Sequence, residues 1–163
     1  MSELQKPSVK ALLVADDDDD DYLLTRKALH DTQYAGELFR VKDGIELIEF
    51  LLKKVEEIGA ASDEGCPHLL ILLDLNMPRK DGRQALSEIR ANHVLRCLPI
   101  VILTTSNATA DINLAYELGA NSYVRKPSSY ARFAGLLKII VEYWFEAVEW
   151  PIGRPSAARW QVL

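Results

Sequence analysis

The sequence predicts an open, doubly wound α/β fold: a parallel sheet of five strands with helices on both faces. Three observations carry this prediction. Leu69-Leu70-Ile71-Leu72-Leu73 is an unbroken aliphatic run that ends at Asp74, and Ile100-Val101-Ile102-Leu103 is a second run that ends at Thr104. Runs this short and this apolar are strands buried on both faces, as found in the middle of a parallel sheet. Elsewhere the apolar residues recur at helical spacing, and strands alternating with helices imply parallel pairing through right-handed crossovers.

Taken in order, residues 9–15 form the first strand, and the six aspartates Asp16 to Asp21 follow it. Because Leu23, Leu24, Ala28 and Leu29 then repeat at helical spacing, the acidic run must be a βα loop and the start of a helix. Acidic side chains in a first turn are favoured by the helix dipole, which accounts for Asp18 to Asp21 without any further role. Residues 37–42 alternate weakly and form a short second strand. Asp43 caps the next helix, whose apolar side holds Ile45, Leu47, Ile48, Leu51 and Leu52, and residues 55–67 read as a polar loop. The Leu69 run is strand three. Pro78 and Gly82 mark the loop after it, and Asp81 caps a helix carrying Ala85, Leu86 and Ile89. Pro99 opens strand four. A helix over residues 109–119 is stopped by Gly119, residues 121–125 form strand five, and Lys126-Pro127 ends it. Ser128 or Ser129 caps a last helix that reaches about Trp150.

A chain of 163 residues supports one sizeable core. The expected division is a lead over residues 1–8, one domain over 9–150 and a tail over 151–163. A net charge of −5 with no basic block argues against nucleic acid as a partner. Cys66 and Cys97 belong to no short motif and no histidine cluster, which suggests a reducing compartment and no zinc site. No signal peptide and no membrane-length apolar run is visible, so the expectation is a cytoplasmic protein with no membrane partner.

The strand ends gather the polar residues at one edge of the sheet: Asp16 and Asp17 from strand one, Asp74 from strand three, Thr104 from strand four and Lys126 from strand five. In open α/β sheets, ligands collect at this carboxyl edge. Converging carboxylates repel one another unless a cation lies between them, and hard oxygen ligands with room for water suit Mg²⁺. A metal ion, Lys126 and the Thr104 hydroxyl would stabilise additional negative oxygens on Asp74. That is the chemistry of a carboxylate nucleophile that takes a phosphoryl group.

In order and spacing, the acidic pair Asp16-Asp17, Leu72-Leu73-Asp74-Leu75-Asn76-Met77-Pro78 with Gly82, Thr104, and Tyr123-Val124-Arg125-Lys126-Pro127 resemble the receiver domain of a two-component response regulator. The resemblance implies the CheY-like, flavodoxin-like (βα)5 fold with strand order 2-1-3-4-5. It implies Asp74 as phospho-acceptor and Asp17 as a direct Mg²⁺ ligand. Asp16 would hold metal-bound water, and the main-chain carbonyl of Asn76 would complete the protein ligands. Thr104 would be the switch hydroxyl, Lys126 the phosphate partner, and Tyr123 the aromatic that swings inward. Thr105 stands next to Thr104, although counting back from Lys126 selects Thr104. The end of the apolar run at Ala15 selects the first two aspartates of the six.

A closer resemblance is to the stand-alone regulators that partner bacterial and cyanobacterial phytochrome histidine kinases. It is carried by the Asp17-to-Asp21 run before Leu24-Thr25-Arg26-Lys27-Ala28-Leu29, by Lys80-Asp81-Gly82-Arg83, by Leu103-Thr104-Thr105-Ser106 and by Val141-Glu142-Tyr143-Trp144. It implies a sensor histidine kinase as phosphoryl donor and a homodimer through the last helix. In that helix Leu137, Val141, Phe145 and Val148 either extend a wide core stripe or form a dimer surface. Nothing after the receiver is long enough for DNA binding or catalysis, so the output is expected through another protein or self-assembly.

Three other readings compete. An aspartyl-phosphate phosphohydrolase would need an acid two positions after the nucleophile, where this chain has Asn76. A nucleotide- or flavin-binding domain would need a glycine-rich loop after strand one, where this chain has aspartates. A phosphorylation-independent scaffold would have no use for the intact set of Asp17, Asp74, Thr104 and Lys126.

Overall fold

The structure, a computed structural model, describes residues 10–61 and 66–150. Its elements are β1 (Ala11–Ala15), α1 (Asp19–Asp31), β2 (Glu37–Val41), α2 (Gly44–Ala61), β3 (Leu69–Leu73), α3 (Gly82–Ala91), a 3₁₀ turn (Leu95–Cys97), β4 (Ile100–Thr104), α4 (Thr109–Glu117), β5 (Ser122–Arg125), α5 (Tyr130–Glu142) and a π turn (Tyr143–Ala147). The strands form one parallel sheet in the order β2-β1-β3-β4-β5, as expected. The expected lead over residues 1–8 and tail over 151–163, with Trp160, lie outside the described residues.

Strand periodicity divides the core in two. Leu13, Ile71, Leu73, Ile100 and Ile102 point to the face covered by α2, α3 and α4, where they meet Leu47, Leu51, Leu86, Ile89 and Ala115. Leu12, Val14, Leu70, Leu72, Val101 and Leu103 point to the face covered by α1 and α5, where they meet Ala28, Leu29, Phe133, Leu137 and Ile140. Every residue of β3 and β4 is buried, which is why these two strands read as continuous apolar runs. Helix starts follow their caps. Asp81 accepts from Gln84 N–H in a reciprocal capping box, Asp43 accepts from Ile45 and Glu46 N–H, and Ser129 accepts from Arg132 N–H. Gly119 takes a positive φ of 98° just past α4.

Three expectations need correction. Helix α2 runs on to Ala61, because Val55, read as loop, continues its apolar stripe against the core. Helix α5 stops at Glu142, and the chain passes through a π turn and becomes extended at Val148 instead of staying helical to Trp150. The turn lets Trp150 fold back. Its Nε1–H donates to Trp144 O at 2.6 Å, and its ring stacks on Phe145 with centroids 5.8 Å apart. Of the residues that could serve either a core stripe or a dimer surface, Leu137 is fully buried, while Val141 and Phe145 pack partly buried on the α1/α5 core and Val148 is half-buried. Finally, Cys66 and Cys97 are joined by a disulfide with Cα atoms 6.2 Å apart, so their pairing removes the argument for a reducing compartment. Among the described residues, no helix is long and apolar enough to cross a membrane.

Candidate functional site at the carboxyl edge of the sheet

Parallel pairing puts the carboxyl ends of β1, β3, β4 and β5 next to one another, with neighbouring strands about 4.8 Å apart. The backbone continues the alignment past the strands. Asp74 N–H donates to Ala15 O at 3.0 Å, and Lys126 N–H donates to Thr104 O at 2.7 Å. Four chain segments therefore deliver their next side chains into the same space.

Lys126 is the centre of that space. Its ammonium donates to Asp16 Oδ2 at 2.7 Å, to Asp21 Oδ2 at 2.7 Å and to Asp74 Oδ2 at 3.3 Å. The lysine side chain is only 7% exposed. Burial alone would lower its pKa, but the hydrogen bonds to Asp16 and Asp21 and the charge of Asp74 outweigh burial and hold it above the usual lysine range. Lys126 is therefore fixed as a cation. Asp16 is itself buried, and burial pushes its carboxyl above the usual carboxylate range, only partly offset by Lys126 and by Asp18 N–H. Three carboxylates facing one ammonium leave an excess of negative charge in a poorly hydrated site.

Asp74 is partly buried and accepts Asn76 N–H at 3.2 Å through Oδ1, so the residue expected to offer its carbonyl already shapes the loop after Asp74. Asp17 is exposed at the mouth of the same loop. Thr104 is fully buried at the end of β4, while Thr105 is exposed. The Thr104 Oγ1 accepts a long hydrogen bond of 3.5 Å from Ser106 N–H. The Tyr123 ring packs partly buried against the α2–α4 side of the core, and its hydroxyl donates to Ser106 O at 2.8 Å. Among the described residues, no group of three or more His, Cys, Asp or Glu side chains is arranged as a ready metal cage. The acidic groups are organised around Lys126 instead.

Sequence reasoning missed two parts of this site. Asp21 was assigned to the helix dipole alone, yet it is one of the three carboxylates on Lys126. Its position in the first turn of α1 aims it back at the strand ends, and six identical residues in a row give no signal of which one turns inward. The second part is a pairing of Asp43, 3% exposed: besides capping α2 as expected, it accepts from Arg79 Nε at 2.8 Å and from Arg79 Nη2. Arg79 lies in the loop after Asp74 with a positive φ of 62°, so this pair ties the acceptor loop to the start of α2.

A 2-1-3-4-5 parallel sheet with a buried lysine set among aspartates at its carboxyl edge is the architecture of CheY-like receivers. The chain belongs to the response regulator receiver domain family, whose sequence profile matches residues 12–138. It is 34% identical over 151 residues to the response regulator Rcp1 of Synechocystis, covering 93% of this chain and 99% of that protein. Among solved structures it resembles the phosphorylated cyanobacterial phytochrome response regulator RcpA, at 34% identity and a TM-score of 0.76 over 88% of this chain and 99% of that one. It also resembles the Mn²⁺-bound form of Rcp1, at 33% identity and a TM-score of 0.73 over 87% of this chain and 99% of that one.

Proposed function

We propose that this chain is a single-domain response regulator, with residues 9–150 as its receiver, that accepts a phosphoryl group on Asp74 from a sensor histidine kinase of the phytochrome type. The observation that carries the reading is the Lys126 ammonium held within 3.3 Å of the Asp74 carboxylate in a buried acidic site. In the transfer an Asp74 oxygen forms a bond to phosphorus while the phosphorus–nitrogen bond of a phosphohistidine breaks, and the imidazole leaves with the bonding electron pair. Lys126 neutralises charge on the incoming group, and Thr104, at the adjacent strand end, is placed to donate a hydrogen bond to it. The protein supplies the acceptor and its electrostatics rather than turning over a substrate, with slow self-dephosphorylation at most.

The chemistry of the donors, rather than a preformed cage, suits a divalent ion. Asp16, Asp74 and the exposed Asp17 are hard oxygen ligands with net negative charge left over after Lys126, and the Asn76 carbonyl is the fourth donor. Mg²⁺ bound there would neutralise the oxygens of the transferring group. The Mn²⁺-bound form of Rcp1 and the phosphorylated form of RcpA support both halves of the reading. On this reading the protein would meet its kinase in the cytoplasm, a location that the Cys66–Cys97 bond does not itself favour. Output is read through protein surfaces, including a homodimer face on the last helix, where Ile139 is 64% and Tyr143 54% exposed. No nucleic acid is involved, in keeping with the net charge of −5.

The test is intact mass after incubation with acetyl phosphate, with and without Mg²⁺. One Mg²⁺-dependent phosphoryl addition, abolished in Asp74→Asn with the fold retained, is the expected result. Full incorporation in Asp74→Asn would move the acceptor elsewhere. No incorporation in the wild-type chain would leave a receiver-shaped scaffold.

A further inference from the structure

Helix α4 is held less firmly than its neighbours. It is nine residues long and buries only Ala115, whereas α3 buries four residues and begins in a capping box. The N-cap position of α4 is Ala108, which offers no side chain to the free amides of the first turn. One buried alanine contributes little apolar stabilisation, so polar contacts decide where this end of the helix rests.

Those contacts form a single chain. Arg83 Nη2 donates to Asp111 Oδ1 at 2.6 Å, and Ser106 Oγ donates to Asp111 Oδ2 at 2.6 Å. The Arg83 and Asp111 side chains are only 24% and 22% exposed, so their pairing is partly shielded from water and salt. The Ser106 hydrogen bond and then the Arg83 guanidinium hold the Asp111 carboxyl below its usual range. Ser106 is committed on every side, because its N–H reaches Thr104 Oγ1 and its carbonyl accepts the Tyr123 hydroxyl. The Tyr123 N–H in turn donates to the Tyr116 hydroxyl on α4 at 3.1 Å. At the other end, Arg83 follows Gly82, whose N–H donates to Leu75 O at 2.9 Å directly behind Asp74. The route therefore joins the Asp74 loop to Thr104 and Tyr123 without passing through Lys126.

We propose that Arg83, Asp111 and Ser106 form a latch that positions Thr104 and Tyr123 relative to Asp74. The inference rests on Asp74 being the phospho-acceptor. These are positioning residues and touch none of the reacting atoms. A loop anchored to the capped helix α3 presents the Thr104 hydroxyl already ordered, so that ordering is not a cost at the moment of transfer. With the latch broken the loop samples other arrangements, and the competent fraction falls.

The test uses the full chain as wild type, Arg83→Gln, Asp111→Asn, the double variant and Arg83→Lys. Three quantities are read: the rate of phosphoryl labelling by acetyl phosphate with Mg²⁺, the ¹⁹F resonance of 3-fluorotyrosine at position 123 (assigned by its loss in Tyr123→Phe), and the urea midpoint. Each single variant should label about fivefold more slowly, which at 1.4 kcal/mol per decade is about 1 kcal/mol of coupling. The double variant should be no slower than the singles, because all three break one chain. Arg83→Lys should recover part of the rate, and the Tyr123 resonance should shift or broaden in the variants before any labelling. A lowered urea midpoint with unchanged labelling and an unchanged Tyr123 resonance would overturn the proposal and leave a purely structural ion pair. Multiplying effects in the double variant would overturn it as well. If the wild type takes up no phosphoryl group, the acceptor reading fails on its own account. The latch is then still judged by the Tyr123 resonance, and an unmoved signal in the variants refutes it.

Discussion

Reduction of the Cys66–Cys97 bond should destabilise the protein by an amount that follows from the length of chain it encloses. The two cysteines are 31 residues apart, and the chain-entropy relation for a loop of that size gives about 12 cal/mol/K, or about 3.7 kcal/mol at 25 °C. The enclosed segment holds β3, α3 and the 3₁₀ turn, so the bond constrains the part of the unfolded chain that must rebuild the acceptor strand. With a urea slope of about 2 kcal/mol/M, the midpoint should fall by about 1.8 M on reduction. The assay is urea unfolding followed by tryptophan fluorescence, with and without a phosphine reductant, alongside a thiol count by alkylation and mass. Full alkylation of the native chain without reductant would refute the bond. Oxidised and reduced chains sharing a midpoint to within about 0.3 M would refute the entropic argument. Phosphoryl labelling should be the same in both redox states. Cys66 lies before the amino end of β3 and Asp74 after its carboxyl end, so the whole five-residue strand, about 17 Å long at 3.3 Å per residue, lies between them.

Two glycines should respond in opposite directions to the same substitution. A Cβ at Gly82 would collide with the Asp74 carbonyl oxygen and lie 2.8 Å from Leu75 Cα, and backbone cannot yield as a side chain can. Gly82→Ala should therefore cost about 1–3 kcal/mol in urea unfolding and slow the labelling of Asp74. Gly135 has nothing within 4 Å of such a Cβ and lies inside α5, so Gly135→Ala should stabilise by about 0.5–1 kcal/mol without changing labelling; the reverse order of midpoints would refute both. The Asp43 carboxyl lies below its usual value because hydrogen bonds from Glu46 N–H, Arg79 and Ile45 N–H outweigh the burial that opposes them. A depressed carboxyl pKa gives stability that is present above pH 3.8 and lost as the pH falls through the folded value. Asp43→Asn should thus cost about 1–3 kcal/mol at pH 7, with the difference from wild type closing below pH 3.8. A difference that stays constant down to pH 3 would show that charge plays no part.

Much of the fold could be read from the sequence because each layer announced itself locally. The aliphatic runs of β3 and β4 are apolar throughout, since both faces of each strand are covered. Asp43, Asp81 and Ser129 stand at the helix starts because backbone amides there need side-chain acceptors. The gathering of Asp16, Asp74, Thr104 and Lys126 followed from parallel topology alone, which sends every strand out of the same edge. What escaped reading depends on contacts between segments far apart in sequence. The cysteines carry no motif, and only the placement of Cys66, just before β3, beside the 3₁₀ turn brings them together. The end of α5 is set by Trp150 returning to Phe145 and His68, a tertiary contact that overrides a helix-compatible sequence. Leu137 has the same periodicity whether α5 meets a core or a partner, and only the position of Leu70 and Leu72 beneath it decides.

The six aspartates show how one composition divides into different tasks once geometry is imposed. Asp16 is buried and accepts from Lys126 and Asp18 N–H. Asp18 caps α1 by accepting Asp21 N–H at 2.9 Å. Asp19 pairs with Arg40 at 2.7 Å and with Lys42 at 3.0 Å, tying α1 to the end of β2. Asp21 turns back to Lys126, while Asp17 is left exposed at the mouth of the site. A solvated acidic patch would have kept all six equivalent. Here four of the six carboxylates find partners: Asp18 takes a backbone amide of the turn, Asp19 takes Arg40 and Lys42, and Asp16 and Asp21 share Lys126, which offsets repulsion within the run. The exposed Asp17 and the partly buried Asp74 are then the acidic groups with capacity to spare at the edge of a site whose charge is still negative. Were Asp74 to take a phosphoryl group, as proposed, that group's own negative charge would call for added positive charge here. The excess of aspartate is therefore an argument for a metal-dependent acceptor and against a metal-free anion site.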